Sequence, residues 1–250
     1  MRLLFLLLTV AALVCAAAAA SDGFDPPVSR QLVNLGLSPN CDPACPIVLA
    51  CHYYPSFMVK ELNSGEIGAD LIAIVRRKGQ SLPACSKNLL PGEIELKDWG
   101  YFLGVKGALV FLGTADGANG GIGFSAYGAR TGKLLFQDDV IESSSNETRK
   151  PGEPMPFRNL RLTTDASGTL VLNYMRVVVT DCDLHREALH CWNRIRTQYA
   201  LKPATPPVCK GYKGVKESLE SVIAYPVQTT LTSPPVTKVL DGPIQCWPVQ

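Results

Sequence analysis

The chain has 250 residues, of which 24 are basic and 22 acidic, for a formal charge of +2. A balance this close to neutral, with no basic stripe or cluster, excludes the electrostatic footprint that nucleic acid requires. Beyond its first twenty residues, no stretch reaches the ~18 uninterrupted apolar residues of a spanning helix.

Met1–Ala20 reads as a signal peptide. Arg2 supplies the positive start, Leu3–Val14 the apolar core, and Ala18, Ala19 and Ala20 the small residues before a cut near Ser21. A single membrane anchor is the alternative, since the apolar run continues to Ala20, but polyalanine is weakly hydrophobic and the small-residue exit favours cleavage. Lipidation at Cys15 is disfavoured by the bulky Val14 before it. Removal of Arg2 and Cys15 leaves 23 basic residues against 22 acidic ones, and eight cysteines: Cys41, Cys45, Cys51, Cys85, Cys182, Cys191, Cys209 and Cys246. An even number in an exported chain implies a disulfide framework, here of up to four bridges, with about 105 connectivities open. Cys41, Cys45 and His52 have a loosely zinc-like spacing, but no second close pair completes a structural site. No metal and no cofactor are expected. Residues 21–250 are read as one exported β-rich domain in the periplasm or extracellular space.

Ser21–Pro39 is a polar entrance with one short periodic piece: Leu32, Val33, Leu35 and Leu37. The cysteine-dense run from Cys41 to Tyr54 is punctuated by Pro43 and Pro46. It predicts a stapled loop with a short strand or helical turn at Ile47–Ala50, and His52, Tyr53 and Tyr54 half-buried against it. Asp70–Val75 predicts a strand, with Arg76–Gly79 as its solvated exit. Glu93–Lys97 alternates with a period of two, the mark of a half-buried strand.

Asp98–Asp139 is the best-defined stretch. Its apolar runs Gly107–Leu112, Gly123–Tyr127 and Lys133–Phe136 are separated by the glycine-rich or polar breaks Asp116–Gly123 and Gly128–Gly132. This is the pattern of consecutive antiparallel strands. Within it, Ser125–Phe136 resembles the repeat of quinoprotein-type β-propellers, whose blades end near A-x-D-A-x-T-G-K-x-x-W. Ala126, Ala129, Thr131, Gly132 and Lys133 match, while Gly128 and Phe136 replace the family's Asp and Trp. The resemblance spans about 30 residues and implies a blade-like antiparallel unit. No second copy recurs at the ~40–50-residue period of a propeller. Thr131-Gly132-Lys133 is equally the turn of an ordinary hairpin.

Glu142–Pro156 is nearly devoid of apolar residues and predicts an exposed loop. It carries the sequon Asn146-Glu147-Thr148, which has meaning only in a eukaryotic host. Asn159–Thr163 and Thr169–Thr180 predict strands joined by a turn at Asp165–Gly168. Both faces of the second strand are mostly apolar, so it belongs in the middle of a sheet, and Arg176 then requires a carboxylate or carbonyl partner. Ala188–Ala200 predicts a helix through Ala188, Cys191, Trp192, Ile195 and Tyr199. Cys182 and Cys191 can pair only if Asp183–Glu187 is a loop. From Lys202 the chain is Pro-rich, an extended tail over about 202–250 tied to the body by Cys209 and Cys246.

The fold class expected is mainly β: antiparallel, sandwich-like sheets, disulfide-stapled, with one helix in the C-terminal half. Gly121–Ala126 fits a dinucleotide fingerprint in letters only, because hairpin chemistry follows it instead of a helix. Functionally the chain reads as a binding or structural module for an unknown protein or small-molecule ligand, with no nucleic-acid partner and no stable membrane insertion after cleavage. The loop Thr114–Gly123, through Asp116 and Asn119, with the neighbouring aromatics Trp99, Tyr101 and Phe102, is the candidate ligand-facing edge, because mobile Gly-rich loops on rigid strands concentrate binding. The alternative is a secreted hydrolase in which His185 or His190 acts with Asp183 or Glu187.

Overall fold

The computed structural model describes residues 23–249 other than 42–43, 78, 80, 98–99, 116, 118, 142–151, 155–156, 158, 216 and 218. Met1–Ala20, read above as a signal peptide, Asp116, Trp99 and the Asn146 sequon therefore lie outside the described residues. Five strands in chain order form the first sheet: β1 (Ser29–Ser38), β2 (Cys45–Tyr53), β3 (Phe57–Asn63), β4 (Leu71–Arg76) and β5 (Ile94–Glu95). The second sheet has nine: β6 (Gly100–Lys106), β7 (Leu109–Thr114), β8 (Gly121–Gly128), β9 (Leu134–Ile141), β10 (Leu160–Thr164), β11 (Leu170–Val179), β12 (Ser221–Thr230), β13 (Val236–Val239) and β14 (Gln245–Pro248). Every pairing is antiparallel, and α1 (Ala188–Gln198) is the single helix of the described chain. The mainly β, antiparallel, disulfide-stapled class is the one expected from sequence.

The central stretch folds as a meander from β6 to β9, with a sharp turn after β8. Gly132 sits there at φ 65°, and a Cβ in its place would meet Ile94 Cγ2 at 2.2 Å. Both constraints demand glycine. A bulge between Phe102 and Gly104 shifts the register of β6 against β7. It lets Phe102 and Val105, three residues apart, face one core together with Val110, Leu112 and Tyr127. Tyr54, Phe57, Val59, Ile72 and Ile74 of the first sheet close this core from the opposite side. The second sheet's other face carries the larger core, where Phe111, Phe124, Leu172 and Tyr225 join Trp192 and Ile195 of α1.

Several elements differ from expectation. The short strand or helical turn expected at Ile47–Ala50 is a longer strand, the nine-residue β2, and His52, Tyr53 and Tyr54, expected half-buried, are buried. The propensity for a loop yields to pairing on both sides, with β1 and β3. The Pro-rich tail holds β12, a ten-residue strand in the interior of the second sheet. Pro226 is tolerated there because its carbonyl accepts from Leu240 N–H, 2.9 Å. In an antiparallel strand the N and O of one residue point the same way. The missing N–H thus faces the gap between β14, paired to Ser221–Ala224, and β13, paired to Val227–Thr230.

All eight cysteines among the described residues are paired: Cys41–Cys45, Cys51–Cys85, Cys182–Cys191 and Cys209–Cys246. α1 starts only at Ala188, which brings Cys182 and Cys191 to a Cα separation of 5.8 Å. Cys209 and Cys246 close on each other and not on a cysteine of the body. The attachment to the body runs through β14, which pairs with β12. Among the described residues no helix is long and apolar enough to cross a membrane. Four disulfides place the folded chain in a non-cytoplasmic, oxidising environment.

Candidate functional site

Directly opposite residues on antiparallel strands share a face, so the pairings Tyr53↔Met58 and Cys51↔Lys60 put these four side chains on the outer face of the first sheet. The segment 81–93 crosses that face as a strap. Three ties hold it. Cys51 bonds to Cys85. The Tyr53 hydroxyl lies 3.2 Å from both Gln31 Oε1 and Pro83 O, either of which accepts its one proton. Burial pushes the Tyr53 phenol above its ordinary value, so it stays a neutral donor. Lys60 Nζ, fully buried, donates to Ser86 O at 3.1 Å, to Asn88 O at 2.6 Å and to Glu93 Oε2. Its three donors meet three acceptors.

A cleft of about 400 Å³ opens between the strap and the end of β4, lined by Val75, Arg76, Pro83, Ala84, Leu90 and Glu93 among others. The Glu93 side chain is 4% exposed and its two oxygens differ. Oε2 accepts from Lys60 and from Leu90 N–H at 2.9 Å, whereas Oε1 is buried with no partner among the described residues. Arg76 Nη2 donates to Arg130 O at 2.7 Å, which fixes that wall against the β8–β9 turn. Leu82, Leu89 and Leu90 of the strap are exposed. The cleft thus has apolar walls and one cationic side chain, and its lining includes Glu93, whose Oε1 is buried without a donor among the described residues.

Of the loop-edge residues singled out from sequence, Tyr101, Phe102 and Asn119 are described. Adjacent strand residues point to opposite faces. Tyr101 accordingly reaches outward, its hydroxyl accepting Gly68 N–H at 2.9 Å and donating to Glu66 O at 3.3 Å. Phe102 turns inward and is a core residue, fully buried with its ring 4.9 Å from that of His52. Asn119 adopts φ 55°, and its backbone carbonyl accepts the Trp247 indole N–H at 2.7 Å, tying the β7–β8 turn to β14. Near α1, His185 stacks on Tyr212 at 4.7 Å and His190 is exposed. Asp183 is buried, and its carboxylate accepts the backbone N–H groups of His185, Arg186 and Leu219. It serves the turn that leads into the helix. Arg176 has the partner its position requires: Asp138, at 2.8 and 2.9 Å from Nε and 2.7 Å from Nη2. Burial and the Asp138 charge raise the Tyr174 phenol, which donates to the same carboxylate.

Sequence reasoning missed Lys60 and the strap altogether. The available signals were the Cys51 and Cys85 pair and a loop bearing Leu82, Leu89 and Leu90 between breakers. Fold and site together define a disulfide-stapled protein of two antiparallel sheets with a strap-bounded cleft. Comparison with protein-family models, with curated proteins and with solved structures finds no match.

Proposed function

We propose that the protein is an exported binding module that takes a small ligand into the cleft beside the strap. The reading of Met1–Ala20 as a signal peptide and the four disulfides support export. The observation that carries binding is the cleft itself. Its volume, about 400 Å³, falls in the range of small-molecule sites. Its wall is a loop fixed to a sheet by a disulfide and a buried lysine, and binding groups concentrate on such loops.

A fragment screen against the oxidised, ¹⁵N-labelled chain tests the proposal. Hits should shift the backbone resonances of residues 81–93, and Ala84→Trp, which fills the cleft from an exposed position, should abolish those shifts. Hits confined to other surfaces would overturn it.

A further inference from the structure

We infer that the cleft selects its ligand through a neutral hydrogen-bond donor, an amide or hydroxyl group, delivered to Glu93 Oε1. The ligand's apolar body then lies against Val75, Pro83, Ala84 and Leu90. This rests on the binding reading above and gives it a chemical class.

The donor requirement comes from the unequal oxygens of one carboxylate. Oε2 is occupied by Lys60 Nζ and Leu90 N–H, while Oε1 is buried and without a partner among the described residues. Buried polar atoms are nearly always paired, and each exception calls for a reason. A ligand that brings its own donor supplies the missing partner.

Charge disfavours a cation, and donor matching at Oε1 disfavours an anion. Lys60 already neutralises Glu93 at hydrogen-bond contact, and Arg76 adds a positive charge on the same cleft. A cationic ligand would be desolvated beside two like charges with no unbalanced anion to receive it. An anionic ligand brings only acceptors to an acceptor. A neutral donor on an apolar frame meets neither penalty. Because Oε1 is buried, the ligand reaches it as the strap yields next to Glu93. The turn beside it contains Gly92, at φ 86°, where an added Cβ would meet nothing within 4 Å.

The test uses three probes with one frame: 4-phenylbutanamide, 4-phenylbutylammonium and 4-phenylbutanoate, titrated into the full oxidised chain and followed by two-dimensional NMR. The amide should bind at least tenfold more tightly than either ion, shift the amides of Ala84, Leu90 and Gly92, and lose binding in Ala84→Trp. In Glu93→Gln, provided it folds, the side-chain amide keeps its oxygen for Lys60 and turns its NH2 to the cleft, so preference should pass to the carboxylate probe. Equal affinity for all three probes at the cleft would overturn donor selection and leave the binding reading standing. Tightest binding by either ion would do the same. Absence of any cleft shift with all three probes would overturn both.

Discussion

The strap and α1 each lay a disulfide-pinned segment over the face of a sheet, yet the chemistry of the two covers is opposite. α1 buries Cys191, Trp192 and Ile195 into the core of the nine-stranded sheet. A helix satisfies its own backbone, so its contribution can be almost wholly apolar. The strap is irregular and brings unpaired carbonyls with it. The face beneath it must then supply donors, which Lys60 does for Ser86 O and Asn88 O, and Tyr53 for Pro83 O or Gln31. A buried lysine in the middle of a strand is thus the consequence of covering a sheet with a loop.

The largest expected effects set one cover against the other. Trp192→Ala should destabilise by about 3–5 kcal/mol through a cavity, and Lys60→Ala by about 3–5 kcal/mol through an abandoned buried carboxylate. Chemical denaturation would give both. The sharper probe is the double variant Lys60→Met with Glu93→Leu, which removes both charges. It should recover only part of the loss, remaining about 1–2 kcal/mol short because the Ser86 and Asn88 carbonyls lose the donor they share. Full recovery would show that the strap carbonyls need no donor from the sheet.

The disulfides should rank by the loops they close. Cys51–Cys85 spans 34 residues and Cys182–Cys191 spans 9. Chain entropy assigns about 4 kcal/mol to the first and about 2.5 kcal/mol to the second. Paired Cys→Ala variants with equal stabilities would remove loop entropy as the difference between the covers. Tyr53→Phe should cost less, about 1 kcal/mol, for one hydrogen bond to the strap.

The smallest effect belongs to a turn outside both covers and serves as a control. Asp165 Oδ1 accepts from Ser167 N–H, Ser167 Oγ and Thr169 N–H. Those bonds, the Ser167 hydroxyl foremost, hold its carboxyl below the ordinary value. Because the folded value is the lower one, the stabilisation is complete above the ordinary carboxylate value and is lost as pH falls through the lowered one. Asp165→Ala should therefore lower Tm slightly at neutral pH and converge with the parent in acid. A constant difference at every pH would contradict the assignment.

Elements with strong local periodicity were legible in the chain: the β7–β9 meander, β10 and β11 with their turn, and α1. So was the need of Arg176 for a carboxylate or carbonyl partner, because a strand apolar on both faces belongs in the interior of a sheet. β3 was not legible, since Lys60 and Glu61 in succession imitate a solvated stretch. Alternation in fact buries one on each face of the first sheet, Glu61 Oε1 accepting Phe102 N–H at 3.2 Å on the inner side. β12 was hidden by Pro226, whose tolerance depends on where two other strands meet. The cleft was invisible for a related reason: Glu93 reads as part of a short alternating strand, and Lys60 stands 33 residues away from it.

By itself the sequence determined the β class, the helix and the turns, because each is written in residues close together in the chain. Only the tertiary structure decided which cysteines pair, which face each strand buries, and that Lys60, Glu93 and the strap carbonyls converge beside a cleft. Those outcomes depend on contacts between distant segments. The free energy of burying a polar group is set by partners that no local pattern names.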